Sequence, residues 1–314
     1  MQTIKRTGYW RQLGRDIWKS KFLYILFLPV LAYYIIFRYW PMYGLVIAFQ
    51  RYNIFDGIAG SPWVGLQNFR DFFGSIFFTR LLRNTIVINL FDLAFVFTMP
   101  IIFALLMNEL NGIKFKRVVQ TISYLPHFIS TVVVVSMVMN FLALEHGLIN
   151  NIRYFFGVER IHFLVEPSYF WGIFTTMNVW QSMGFGAIIY MAALTGIDTT
   201  LYEAAHIDGA GRLKQAWHIT LPGLRNIIIL MLVLRLGSFL SVGFESIVLM
   251  YNSQLWATAD VFGTYIYRIG LEGAGGQPNY SLATAAGMFQ SVIGLILIVT
   301  ANLIARRYSD VVIW

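Results

Sequence analysis

Residues 203–222 read EAAHIDGAGRLKQAWHITLP, a polar, partly helical segment between two long apolar runs. Thr200-x-x-Glu203 fits a capping box, which predicts a short helix starting near Thr200. Ala204 and Ala205 are small and leave a low surface against which another chain can pack closely. Gly209 and Gly211 flank Ala210 and should break that helix, because glycine accepts positive φ at little cost. A second short helix is expected from Arg212 to Thr220, with Pro222 in the first turn of the apolar helix that follows, where a missing N–H is harmless. Ile207, Leu213, Trp217 and Ile219 are expected to anchor this helix–turn–helix to the apolar body. Glu203 and Asp208 stay available to a partner.

The rest of the chain explains what that body is. Of 314 residues, 58% are hydrophobic and 12% charged, against roughly half and a quarter in soluble domains. So little charge cannot cover a water-exposed surface, and the class is polytopic membrane protein. A helix needs about 20 mostly apolar residues to cross the hydrocarbon core. Six runs qualify: 22–37, 85–108, 118–143, 169–194, 224–250 and 284–305. The first contains Pro29 and can extend toward Phe49 around Pro41. Pro100 and Pro126 fall inside the second and third, where neighbouring helices can satisfy freed carbonyls. The fold class is therefore all-α membrane protein with six transmembrane helices.

All six lysines lie on one predicted side with Arg212, Arg306 and Arg307. The positive-inside rule makes that side, including both termini, cytoplasmic. The formal charge of +8 is read in the same way, as membrane-flanking basic residues and not as a nucleic-acid surface. The expected division is a basic N-terminal segment (1–21), a transmembrane domain (22–305) containing the cytoplasmic loop 195–222, and a C-terminal tail (306–314). In the first segment Tyr9, Trp10, Leu13 and Ile17 recur at helical spacing among Arg11, Arg15 and Lys19. An amphipathic interfacial helix and a disordered basic tail both fit that pattern. No small-residue cleavage site follows the basic start, so no cleavable signal peptide is expected. Residues 251–283 are expected to form an outer loop that includes GAGGQPN, a flexible stretch.

The order EAA, then Gly, then Ile-x-Leu-Pro resembles the cytoplasmic coupling loop of binding-protein-dependent ABC importer permeases. Glu203, Ala204, Ala205, Gly209, Ile219, Leu221 and Pro222 fall on that pattern in register, with Asp208 and Ala210 inside it. Trp217 stands where the family often has Phe. The resemblance extends to WVGLQNF at 63–69, PIIFALLMNEL at 100–110 and SYLPHFIS at 123–130. PMYGLVIAFQRYN at 41–53 and the short C-terminus ending in Trp314 look like the oligosaccharide and polysaccharide subgroup. The resemblance implies a type I importer permease in the cytoplasmic (inner) membrane. It implies a second, different permease subunit, two separate ATPase subunits holding ATP and Mg²⁺, an extracytoplasmic solute-binding protein and a saccharide cargo. Glu203 is then the residue expected to meet a basic group on the ATPase. Polyamine, amino acid or glycerol phosphate cargo keeps the same mechanism. An ion-driven transporter would need inverted repeats and broken midplane helices, which the sequence does not display.

Ionisable groups inside spans are costly and face a cavity or a partner. Asp92, Arg235 and Glu245 stand out. Arg235 and Glu245 are ten positions apart, about 280° around a helix, so each needs another partner. Sugars have hydroxyl edges and apolar C–H faces, so planar polar side chains among aromatics suit them. The candidate pathway residues are Asn89, Asp92, Asn178, Gln181 and Glu245, with Arg235 read as structural. No G-x-x-x-x-G-K-[ST] phosphate loop and no HExxH occurs. Cysteine is absent and the five histidines show no ligand spacing, so neither catalysis, nor a metal site, nor a cofactor in this chain is expected.

Overall fold

The computed structural model describes residues 18–306 apart from 111, 242, 251, 274 and 275. The N-terminal pattern of Tyr9, Trp10, Leu13 and Ile17 and most of the 306–314 tail lie outside the described residues. Among the described residues the fold is helical, and an isolated antiparallel bridge pairs Gln50 with Trp63. Among the described residues four helices are individually long and apolar enough to cross a membrane, and the number of candidate passes rises to six when each of two bent pairs is counted as one span.

The first span, Lys21–Phe49, is longer than its apolar run because the helix changes pitch without stopping. It continues through a wide turn at Ile35–Tyr39 into a tight helix, Trp40–Phe49, with Pro41 in its first turn. The second, Phe78–Glu109, begins before residue 85 because Arg80 and Arg83 are helical too. The third departs from the expectation of one rod over 118–143. Its arms Ile113–Phe128 and Thr131–Leu142 meet at 99°. Pro126 tightens the chain into a short 3₁₀ turn, and Ile129 is extended before the next helix starts. The carbonyl of Ile129, freed by the break, accepts a hydrogen bond from Gln181 Nε2 (3.2 Å).

The fourth span, Pro167–Leu194, is the axis of the molecule. At Gly184 it lies so close to the third span that a Cβ would strike the Ser123 backbone, so the small residue sets the separation. The fifth span, Arg212–Gly237, also differs from the expected 224–250. It ends at Gly237, and Phe239–Ser241 and Phe244–Met250 follow as separate short helices. The uniformly apolar run hid this break, since hydropathy does not report chain direction. The sixth span is Tyr280–Ala305.

Two buried aromatic and aliphatic clusters fill one end of the bundle. One joins Ile88, Val134, Phe170, Phe174 and Ile247, and the other joins Phe72, Leu81, Phe262 and Tyr265. A third, with Ala104, Ala187, Tyr190, Leu194 and Leu224, lies toward the 203–222 end. Much of the outer loop expected at 251–283 belongs to the packed structure. Trp256–Ala259 and Phe262–Tyr267 are helical, and Asp260, Thr264 and Arg268 are buried. Thr264 and Arg268 donate hydrogen bonds to Asp260 inside it.

Candidate functional site

Asp198, not Thr200, caps the helix Thr199–Ile207. Asp198 is extended, so its carboxylate reaches back over the first turn and accepts from the Thr200 N–H (2.9 Å). That backbone hydrogen bond, with the Thr200 side chain, holds the Asp198 carboxyl below its ordinary pKa. Thr200 is already inside the helix, so the capping box does not form. Glu203 stands too far along to reach back and remains exposed.

The other end of this helix explains the spacing of its small residues. The Ala210 N–H donates to Ala205 O (2.8 Å) and the Gly209 N–H to His206 O (3.0 Å). This is a complete Schellman closure, with Gly209 at φ +75°. No atom lies where a Gly209 Cβ would point, so the requirement is conformational and not steric. Gly211 then starts Arg212–Gln215, which runs through a wide turn at Ala216–Thr220 straight into Leu221–Gly237. The expected separate second helix is thus the first part of the fifth span. A wide turn falls where Pro222 cannot donate to His218 O.

Few side chains tie the loop down. Tyr202 Oη and Thr220 Oγ1 share a hydrogen bond (3.0 Å), and Gln215 Nε2 donates to Ala210 O (2.9 Å). Arg212 and Glu109 form a surface ion pair (3.4 Å). Ile219 and Leu221 are half-buried, as are Ala205 and Ala210. The expected anchors Ile207, Leu213 and Trp217 are instead 85%, 87% and 69% exposed. They point away from their own chain because the covalent run into the fifth span already holds the loop in place. Ala204, Asp208, Gly209 and Pro222 are also exposed.

The ionisable groups inside the spans resolve differently from one another. Arg235 forms a two-point ion pair with Asp92: Nε donates to Oδ2 (2.6 Å) and Nη2 to Oδ1. The Asp92 side chain is 7% exposed and the Arg235 side chain 38%. The carboxylate therefore sits behind the cation, and Arg235 faces an open groove of about 790 Å³. Asn178, Ser182, Phe185 and Ser238 line the same groove. Of the sequence candidates, Asn178 lines this groove and Asp92 is tied to it through Arg235. Asn89 is buried and donates to its own helix at Thr85 O (2.6 Å). Gln181 braces the third-span break, and Glu245 is exposed on the first turn of Phe244–Met250. None of these three lines the groove.

Sequence reading missed a second ionic centre. Asp260, fully buried, accepts from Arg80 Nη2 (2.7 Å), from Arg268 Nη1 and Nη2 (2.9 and 2.8 Å) and from Thr264 Oγ1 (2.9 Å). Asn84 Nδ2 donates to its backbone carbonyl (3.0 Å), and Trp171 and Thr258 lock the same segment to the start of the fourth span. The available signal was one acid in the apolar run WATADVFGTYIYR. Among the described residues no group of three His, Asp or Glu is placed to hold a metal ion.

Residues 97–310 match the family model for the binding-protein-dependent transport system inner membrane component. The polygalacturonan/rhamnogalacturonan transport system permease protein YteP of Bacillus subtilis is 44% identical over 292 residues, 93% of this chain and 90% of that protein. Protein LplB of the same organism is 44% identical over 98% of this chain and 94% of its own length. Among solved structures, a bacterial ABC transporter involved in import of the acidic polysaccharide alginate superposes with a TM-score of 0.87 at 42% identity. The match covers 94% of this chain and 99% of that one. A second crystal structure of an alginate ABC transporter, in complex with alginate pentasaccharide-bound periplasmic protein, gives 0.89 at 40% identity, covering 96% and 100%. Six apolar passes, a capped helix–turn–helix at one end and these matches agree: the chain belongs to the binding-protein-dependent transport system inner membrane components, a multi-pass family of ABC importer permeases.

Proposed function

We propose that this chain is one of two permease subunits of an ATP-driven importer that moves oligo- or polysaccharide, coupled through residues 203–222 to a separate ATPase. The observation that carries the coupling is the exposed helix–turn–helix: Ile207, Leu213 and Trp217 stand free beside Glu203 and Asp208. An apolar patch with acids at its edge suits docking to a basic cleft. ATP and Mg²⁺ belong to that partner, and the lysine distribution puts the loop and both termini in the cytoplasm. The different second permease and the solute-binding protein are the further partners. The cargo reading rests on the polysaccharide systems named for the relatives. The groove at Arg235 supports it, because Asn178, Ser182 and Ser238 can hydrogen-bond hydroxyls while the Phe185 ring meets C–H faces.

The test is reconstitution with the second permease, the ATPase and the binding protein. Wild type should form a stable complex whose ATPase activity rises with sugar-loaded binding protein. Glu203→Ala and Gly209→Pro should lose that stimulation or the assembly. If no ATPase binds, or if both variants behave as wild type, the coupling role is wrong.

A further inference from the structure

Two arginines, Arg80 and Arg268, meet the Asp260 carboxylate at the end of the molecule opposite the 203–222 loop, and a third, Arg83, stands beside them. Trp171 Nε1 donates to Thr258 O (2.9 Å), so residues 256–260 lie beside the start of the fourth span. The loop follows its last residue, Leu194. At 1.5 Å per residue the two sites are about 35 Å apart, a membrane thickness. Here an open cavity of about 600 Å³ is lined by Thr79, Arg80, Arg83, Ser253, Gln254 and Trp256.

The charges do not cancel. Asp260 is shared by Arg80 and Arg268, and Arg83 does not touch it. Arg80 lines the cavity, and its Nε is buried without a hydrogen-bond partner among the described residues. Arg83 donates through Nε and Nη2 to Asn84 Oδ1 (3.2 and 3.0 Å) and through Nη2 to Ala257 O. Its Nη1 edge makes no hydrogen bond among the described residues. The guanidinium is thus held in one pose before any ligand arrives, which lowers the ordering cost of binding. One face of Trp256 already carries the Arg268 guanidinium (4.3 Å from the ring centre), which fixes the indole at the cavity.

We propose that this cavity is a receiving site for the carboxylate of an acidic saccharide, with Arg83 as the contact residue and Arg80 reinforcing the positive field. The proposal rests on the saccharide reading above. Hydroxyl and amide groups from Thr79, Ser253 and Gln254 suit sugar hydroxyls, and the volume lies in the range of small-ligand sites. A lipid would also need an apolar track for its chains, and Ile76 and Ala257 are the aliphatic side chains in the lining. The site differs from the groove at Arg235, where the cation is already paired with Asp92.

The test compares uptake of trigalacturonate with uptake of its fully methyl-esterified form by the complete reconstituted transporter. The two probes share rings and hydroxyls and differ in charge. Arg83→Gln should lower uptake of the acid about tenfold and leave the ester within about twofold, and Arg83→Lys should recover most of the loss. Equal loss for both sugars, or no loss for either, overturns the proposal. So does a defect that appears only in vesicles containing phosphatidylglycerol, which makes the ligand a headgroup phosphate. Weaker docking of sugar-free binding protein to the Arg83→Gln complex also overturns it, by making the ligand an acidic protein surface. A wild-type transporter that moves neither sugar removes the saccharide reading and this site with it. Wild-type uptake with indifferent variants removes this site alone.

Discussion

The two ends of the fourth span are built on opposite plans. At its start, the 256–268 segment is cross-linked by a buried carboxylate, two arginines, Asn84, Trp171 and Thr258. At its end, the 199–221 loop keeps its shape through local capping, with one hydroxyl pair and one surface salt bridge added. Apolar side chains are buried at the first and exposed at the second. One end is fixed by its own chain, and the other presents a preformed surface that other chains can complete.

That contrast is most easily broken at Asp260. Asp260→Ala leaves two arginines without their shared counterion, and losing one partner of a buried pair costs about 3–5 kcal/mol. We expect thermal unfolding of the purified permease to fall sharply, whereas Glu203→Ala should leave it unchanged. An intermediate case is Asp92→Asn, which removes the charge opposite Arg235. Water in the groove softens the loss, because Arg235 is part-exposed, so about 2 kcal/mol is expected. Double substitution with Arg235→Gln should recover part of that, read in the same unfolding assay.

At the loop, Gly209→Ala should cost about 1–2 kcal/mol of local order, since an alanine must adopt positive φ there. Gly209→Asn should cost less. Amide exchange over 203–212 should rise while the global unfolding temperature stays put. A rise spread across the whole chain would show that the loop is not a local unit. The smallest effect concerns Asp198. Hydrogen bonds from Thr200 lower its carboxyl pKa, so the cap is intact above the usual carboxylate range and is lost as pH falls through the folded value. Exchange at Thr200 should therefore quicken as pH falls below the ordinary carboxylate range, and Asp198→Asn should remove that pH dependence.

Much of the loop was legible in sequence because its rules are local. A small pair, a glycine four residues on and a proline after the turn each report backbone chemistry within one or two turns. The N-cap was misassigned because Asp198 and Thr200 both fit the chemistry, and only the φ,ψ of Asp198 separates them. The breaks after Pro126 and at Gly237 were harder to see. A uniformly apolar run has the same hydropathy whether it is straight or bent. The Asp260 centre was out of reach, since Arg80 lies 180 positions away from its partner and a single sequence carries no pairing signal over that distance. Arg235 was read as structural and Asp92 as a pathway candidate. The structure joins them into one element, with the cation on the groove side.

The helical path from Arg212 to Gly237 has no break, only a change of pitch at Ala216–Thr220. Arg212 sits on the exposed loop and Arg235 on the groove wall, about 35 Å further along the same rod. A rod of this kind transmits displacement without hydrolysing anything or passing a signal from residue to residue. Bending it anywhere but at the wide turn would break backbone hydrogen bonds. A force applied at residues 212–215, the part of the rod that lies in the loop, would reach Arg235 along one continuous helix, and the stiffness of that helix would set how much of it arrives.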